Sequence, residues 1–344
     1  MLDQIIPDGA VRFRTQDEVE QLLLDTCRGS VVVQKAEILG RSGEGRNLLG
    51  FVIGGGGRRI SLIAGNHSDE PVGPETLRHL VIALASEPER YGALLETFTF
   101  SIVPHSNPDG ESRNGRWIEQ WPDPEAYLEH AFRELPGRDV EFAFPDGRVE
   151  NRAVSSLLVE QGPFEMHCSL HGMGFSDGAF LLIDRRWGFR TEDLQQRFRE
   201  LAVAAGLGLH DHNRQGEKGF FYLGPGFNTT PEGEAMRTFF LSRGDEEMAS
   251  RFRQSSMDYV RSLGGDPLCL VTEMPLFLIG REPPPEQDAS SPYVDFRDRL
   301  KNAVGAGEQR QLLDEFEVRP FDLREAMRMQ LSVIEAGLET LLKS

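Results

Sequence analysis

Two side chains three residues apart set the chemistry: His67 and Glu70, in the stretch ISLIAGNHSDEPVG at 60–73. An imidazole nitrogen and a carboxylate oxygen so spaced can share one divalent ion, and zinc accepts both at about 2.0–2.2 Å. Catalytic zinc uses roughly three protein donors and keeps a position for water. His171, after the apolar run in EMHCSLHG, is the candidate third donor. Taken alone, the H-x-x-E pair has a plainer reading, an acid placed to favour a helix dipole. Glu273 argues for more. It lies in CLVTEMP, a carboxylate inside a strongly apolar pattern, and burying a lone carboxylate is costly. Desolvation raises its pKa, which suits a general base beside metal-activated water. A salt bridge to a buried arginine is the plain alternative there.

These residues need rigid supports. Ile60, Leu62, Ile63 and Ala64 read as a buried strand, Gly65-Asn66 breaks it, and Pro71, Gly73 and Pro74 lead into a helical pattern. A strand end followed by a tight loop holds side chains at the carboxyl edge of a sheet, where open α/β folds place their sites. Further strands are expected over 31–39, 48–53, 98–103, 164–170, 180–183 and 268–273. The four glycines between 53 and 59 read as a hairpin turn. They precede a strand and not a helix, so a phosphate loop is rejected. Helices are expected over 15–27, with Thr15 and Glu18 as a capping box, and over 75–85, 151–160, 191–205, 231–243 and 245–263. A last helix over 322–342 carries the stripe Met327, Leu331, Ile334, Leu338 and Leu341, placed for packing. Residues 112–149 lack a period apart from a short helical piece near 126–135. Residues 214–230 read as a Gly- and aromatic-rich loop of the kind that lines sites. Alternating strands and helices without a composition break make one α/β domain over 1–344. It comprises a lead-in and helix (1–36), a core (37–280), and a Pro-rich loop with C-terminal helices (281–344).

The 344 residues carry 37 Lys and Arg against 55 Asp and Glu, a formal charge of −18. That argues against nucleic acid or an anionic membrane as partner through a broad basic face, though it leaves room for a local basic pocket. Cys27, Cys168 and Cys269 have no metal-type spacing and read as buried thiols. No run approaches the ~18 apolar residues of a membrane span, and the N-terminus shows no secretory pattern, so a cytoplasmic location is expected. His210 and His212, in HDH, share a strand-like face, but an HxH beside Asp211 more often binds nothing.

Six segments in order, GRSGEGR, GNHSDE, NPDG, SLHG, SSMDY and TEMP, resemble the M14 zinc carboxypeptidases over roughly 37–278. The resemblance implies a mixed eight-stranded sheet flanked by helices (the phosphorylase/hydrolase-like α/β arrangement), and one Zn²⁺ on His67, Glu70 and His171. It implies Glu273 as general base and proton shuttle. An arginine shortly after NPDG would polarise the scissile carbonyl, by spacing Arg116, with Arg113 in reserve. The substrate would be a small peptide or amide.

The chain departs from that pattern where the family grips a substrate carboxylate. The family's Asn-Arg pair is matched by Glu141-Phe142, an acid and a ring that would repel or ignore a free carboxylate. No tyrosine stands between 248 and 254, just before SSMDY, and Arg251 or Arg253 is the available cationic anchor there. Met257 suggests an apolar pocket wall, and Glu141 an amine or basic group on the substrate. Two other readings remain open: a zinc deacylase of the succinylglutamate desuccinylase–aspartoacylase type, and a non-catalytic binding protein that keeps the metal.

Overall fold

The structure, a computed structural model, describes residues 2–280 and 292–343; the Pro-rich stretch expected from 281 lies, up to 291, outside the described residues. Its strands are β1 (Val33–Arg41), β2 (Asn47–Gly54), β3 (Arg58–Ala64), β4 (Phe98–Val103), β5 (Met166–Ser176), β6 (Phe180–Ile183), β7 (Tyr222–Gly224), β8 (Phe227–Thr229), β9 (Leu268–Leu278) and β10 (Arg319–Pro320). They form one sheet in the order β1-β2-β4-β3-β5-β9-β6-β8-β7, with β10 on β9. The expected mixed sheet is present. Its eight principal strands are joined by three-residue β7 at one edge and two-residue β10. The central ladder β4-β3-β5-β9 is parallel, so those strands end on the same edge.

Both sheet faces are covered, which is why β2 to β5 read as nearly continuous apolar runs. On one face Ile60, Leu62 and Ala64 of β3 join a core with Leu77, Leu80 and Leu84 of the helix Val72–Ser86 and Met327, Leu331 and Ile334 of the closing helix Leu323–Lys343. On the other, Ile63 and Val103 pack against Val154 and Leu157 of the helix Val149–Gln161. The helix Gln16–Cys27 starts at Thr15 with the expected capping box. Among the described residues no helix is long and apolar enough to cross a membrane.

Three local expectations are corrected. The glycines after β2 do not form a hairpin, because β4 lies between β2 and β3 and pairs with both. They form a pass beneath the start of β4: Gly55 and Gly56 N–H donate to Leu95 O at 2.8 and 3.1 Å. A Cβ on Gly56 would lie 2.0 Å from the Thr97 carbonyl carbon. Second, the stretch expected to lack a period from 112 begins inside a helix, Pro108–Ile118, which NPDG opens with Asn107 as cap accepting from Gly110 N at 3.1 Å. Third, the helical stretch expected over 245–263 breaks into Glu246–Arg251 and Ser256–Ser262, each with its own cap.

Candidate functional site

The parallel ladder builds the site. His171, on β5, is the register partner of Glu273 on β9, so the two side chains leave the sheet side by side. Next along the edge, β3 ends at Ala64. Gly65 turns the chain with φ +76°, where a Cβ would meet the His105 ring at 2.4 Å. The loop it starts carries His67 and Glu70. Asn114, from the helix that sequence patterning missed, donates to Ser68 O at 2.9 Å and holds this loop. Behind the sheet, Gln330 of the closing helix donates to His171 O at 3.2 Å and Thr272 Oγ1 at 3.1 Å, and accepts from Thr76 Oγ1 at 2.6 Å. One amide thus ties β5, β9 and two helices together at the level of the site.

His67, Glu70 and His171 converge, with donor atoms all within 4.8 Å of one another. His67 Nδ1 lies 3.0 Å from Glu70 Oε1, His171 Nδ1 lies 2.8 Å from Glu70 Oε2, and the two Nδ1 atoms are 3.0 Å apart. Two imidazole lone pairs at that distance repel unless a cation sits between or beside them, and two neutral nitrogens with one carboxylate are a zinc donor set. The residues therefore fit the ion. His171 Nε2 lies 3.2 Å from Glu141 Oε2, which fixes the tautomer that leaves Nδ1 free for metal.

Burial and neighbouring charges shift these groups strongly. Burial opposes ionisation of Glu70, yet His67, Arg133 and His171 outweigh it and hold the carboxyl well below its ordinary range. Burial likewise works against a charged His171, and Glu70 with Glu141 overrule it and raise its pKa. Glu273 goes the other way: burial first, then the nearby Glu70 charge, pushes it up to about 8. Two carboxylates on one cavity with opposite shifts is the pattern of a ligand beside a base.

These groups line a cavity of about 640 Å³. Phe142 and Met257 are buried in its apolar wall with Phe180 and Phe252. Glu141 also borders the cavity, but its oxygens are taken. It accepts from Ser256 N at 2.9 Å, Ser256 Oγ at 2.8 Å and Asn66 Nδ2 at 2.5 Å. Burial alone would raise its pKa; the contacts with His171 and Ser256 bring it down to about 2. The sequence-expected arginines lie elsewhere. Arg116 is exposed on the outer face of its helix, Arg113 pairs with Glu44 at the surface, and Arg251 pairs with Glu247 at 2.6 Å away from the cavity lining.

The guanidinium that reaches the cluster is Arg133, 2.7 Å from Glu70 Oε1 and 3.2 Å from Asp69 Oδ1. It sits in an irregular stretch after the short helix Pro124–His130, with no periodicity to single it out. Asn66, Arg214 and Tyr293 join the site as well; Asn66 stands between the strand-breaking glycine and His67, and Arg214 heads the stretch 214–230 expected to line a site, whereas nothing in the sequence marks Tyr293. His210 and His212 line the cavity, His210 with its Nδ1 2.6 Å from Asp177 Oδ1.

Residues 28–176 match the family model described as zinc carboxypeptidase. Carboxypeptidase M of Mus musculus is 28% identical over 180 residues, covering 47% of this chain and 39% of that protein. The chain thus spans well under half the length of that relative. A metallo-carboxypeptidase structure from Burkholderia cenocepacia aligns with 95% of this chain and 69% of its own, at TM-score 0.51 and 16% identity. Carboxypeptidase A from Helicoverpa armigera aligns with all of this chain and 80% of its own, at TM-score 0.54 and 11% identity. At such identities the structures speak for the fold.

Proposed function

We propose that this chain, whose residues 28–176 match the zinc carboxypeptidase family model and whose fold is that of metallocarboxypeptidase structures, hydrolyses a peptide or related amide bond with metal-activated water. The observation that carries the reading is the register of β5 and β9, which seats a ligand, His171, beside a base, Glu273.

Zinc held by His67, Glu70 and His171 supplies Lewis acidity and lowers the pKa of water at the site. Glu273 is placed to accept the proton of the attacking water and to return it to the leaving amine. Its elevated pKa makes both halves of that transfer accessible near neutral pH. Arg133 is the guanidinium near enough to donate to the carbonyl oxygen as negative charge develops there. This is the role that spacing alone had given to Arg116. Glu141 keeps His171 oriented and takes no direct part in the transfer. Phe142, Phe180, Phe252 and Met257 offer the apolar wall for a side chain next to the scissile bond and exclude water from it.

The test is metal analysis followed by hydrolysis of blocked dipeptides with and without a chelator. We expect one zinc per chain, activity lost with the metal, and a Glu273→Gln variant that keeps zinc but loses about 10²–10⁴ in kcat/KM. Undiminished hydrolysis by that variant, or by metal-free protein, would falsify the assignment.

A further inference from the structure

One charge on the cavity wall has no role in the reaction above. Arg214 lines the same cavity as the metal ligands and Glu273, in the irregular stretch before β7. Its guanidinium lies over the Phe220 ring, 4.2 Å from the centroid, which fixes its plane. No carboxylate among the described residues pairs with it. The other cavity guanidinia are engaged: Arg133 with Glu70 and Asp69, Arg297 with Asp298 at 3.2 Å. Around Arg214 stand more groups able to meet an anion. The rings of His212 and Tyr293 are 6.1 Å apart. The charge on Arg214 acts on Glu273, Tyr293 and His212 alike, so it faces the reacting end of the cavity. In a chain of formal charge −18, Arg214 is thus a guanidinium on the cavity lining with no ion pair among the described residues, and the nearby acid Asp177 is taken by His210 at 2.6 Å.

The Glu141–Phe142 part of the lining cannot serve an anion. Glu141 and Phe142 occupy the positions where the resemblance places an Asn-Arg pair, and Glu141 is spent on Asn66, Ser256 and His171. A guanidinium resting on a ring and paired with no carboxylate among the described residues is suited to bidentate recognition of a carboxylate.

We propose that the anion anchor of this site is Arg214, on the loop before β7, assisted by His212 and the Tyr293 hydroxyl. The substrate then bears a carboxylate on one side and an apolar side chain on the other, seated against Phe142, Phe180, Phe252 and Met257. The inference rests on the hydrolytic reading of the cavity, but its test reads binding. Calorimetry on the zinc-loaded Glu273→Gln protein compares N-acetyl-Phe-Phe with its C-terminal amide, and N-acetyl-Phe-Glu-amide with N-acetyl-Phe-Gln-amide. The two pairs distinguish a chain-terminal carboxylate from a side-chain one. Wild-type protein stripped of zinc is the second inactive background, and it also removes direct carboxylate–metal contact.

We expect one acid to bind at least about tenfold more tightly than its neutral partner. Arg214→Gln should abolish that difference while leaving the neutral ligand unmoved, and Arg214→Lys should restore part of it. Equal binding of acid and amide in both pairs overturns the proposal. So does a preference that survives Arg214→Gln, or a loss shared by acid and amide. Wild-type protein that binds the acid through Arg214 but never cleaves it counts against the reaction and leaves the anchor standing.

Discussion

Glu141 shows how far a residue's meaning depends on its neighbours. In the sequence it stands where a substrate-binding asparagine is expected; in the structure it is buried, its oxygens divided among Ser256, Asn66 and the far nitrogen of His171. Such outer partners of a ligating histidine typically account for 10–100-fold in metal affinity. Glu141→Gln is therefore expected to weaken zinc by about that factor in competition with a chromogenic chelator. An unchanged zinc affinity would show that Glu141 only fills space. The three candidate ligands and Glu273 were legible in the chain because each is a polar side chain inside an apolar run or in the tight turn that follows one. Arg133 was not, since a guanidinium that reaches a site from irregular backbone leaves no spacing to read. Arg214 likewise has no spacing to read, and only its loop, 214–230, was marked.

Elements were legible where their signals were local and obscured where tertiary contacts decide. The capping box of Gln16–Cys27 and the apolar stripe of Leu323–Lys343 are written in neighbouring residues. The helix Pro108–Ile118 is not, since Gly110 and Gly115 weaken its intrinsic propensity. Contacts of buried Asn114 and Trp117 stabilise it. The glycine pass was misread because the intervening strand, β4, lies more than thirty residues further along the chain. That pass makes a paired prediction. A methyl at Gly56 collides with Thr97 backbone, whereas one at Gly55 meets nothing within 4 Å. Gly56→Ala is expected to cost at least about 1–3 kcal/mol, seen as a lowered urea midpoint, and Gly55→Ala to be near neutral. Equal losses in the two variants would mean that the backbone relaxes freely here and that the crossing is not tight.

Across the whole molecule, buried neutral histidines make the fold sensitive to acid. Burial holds His105 and His167 at about 4, below the ordinary 6.5. As pH falls below 6.5 the unfolded chain takes up protons that the folded chain refuses, so stability declines until the folded values near 4 are reached. The expected loss is about 2 kcal/mol per histidine between pH 7 and 5. In metal-free protein His171 has a raised pKa and works in the opposite direction, so the clean measurement is a difference between proteins. Urea unfolding of metal-free wild type and His167→Gln at pH 7 and 5 should show a decline about 2 kcal/mol smaller in the variant. Identical declines would mean that His167 is protonated inside the fold.

The Gln330 amide has a consequence for the order in which a working molecule is completed. The three candidate metal donors and Glu273 leave the ribosome well before the segment that bolts β5 to β9, because that bolt lies on the helix Leu323–Lys343. In a nascent chain these side chains therefore emerge before the amide that fixes the distance between the His171 and Glu273 strands. Proteolytic loss of that helix would reverse that step, leaving His67, Glu70 and His171 in the chain with the spacing to Glu273 undone.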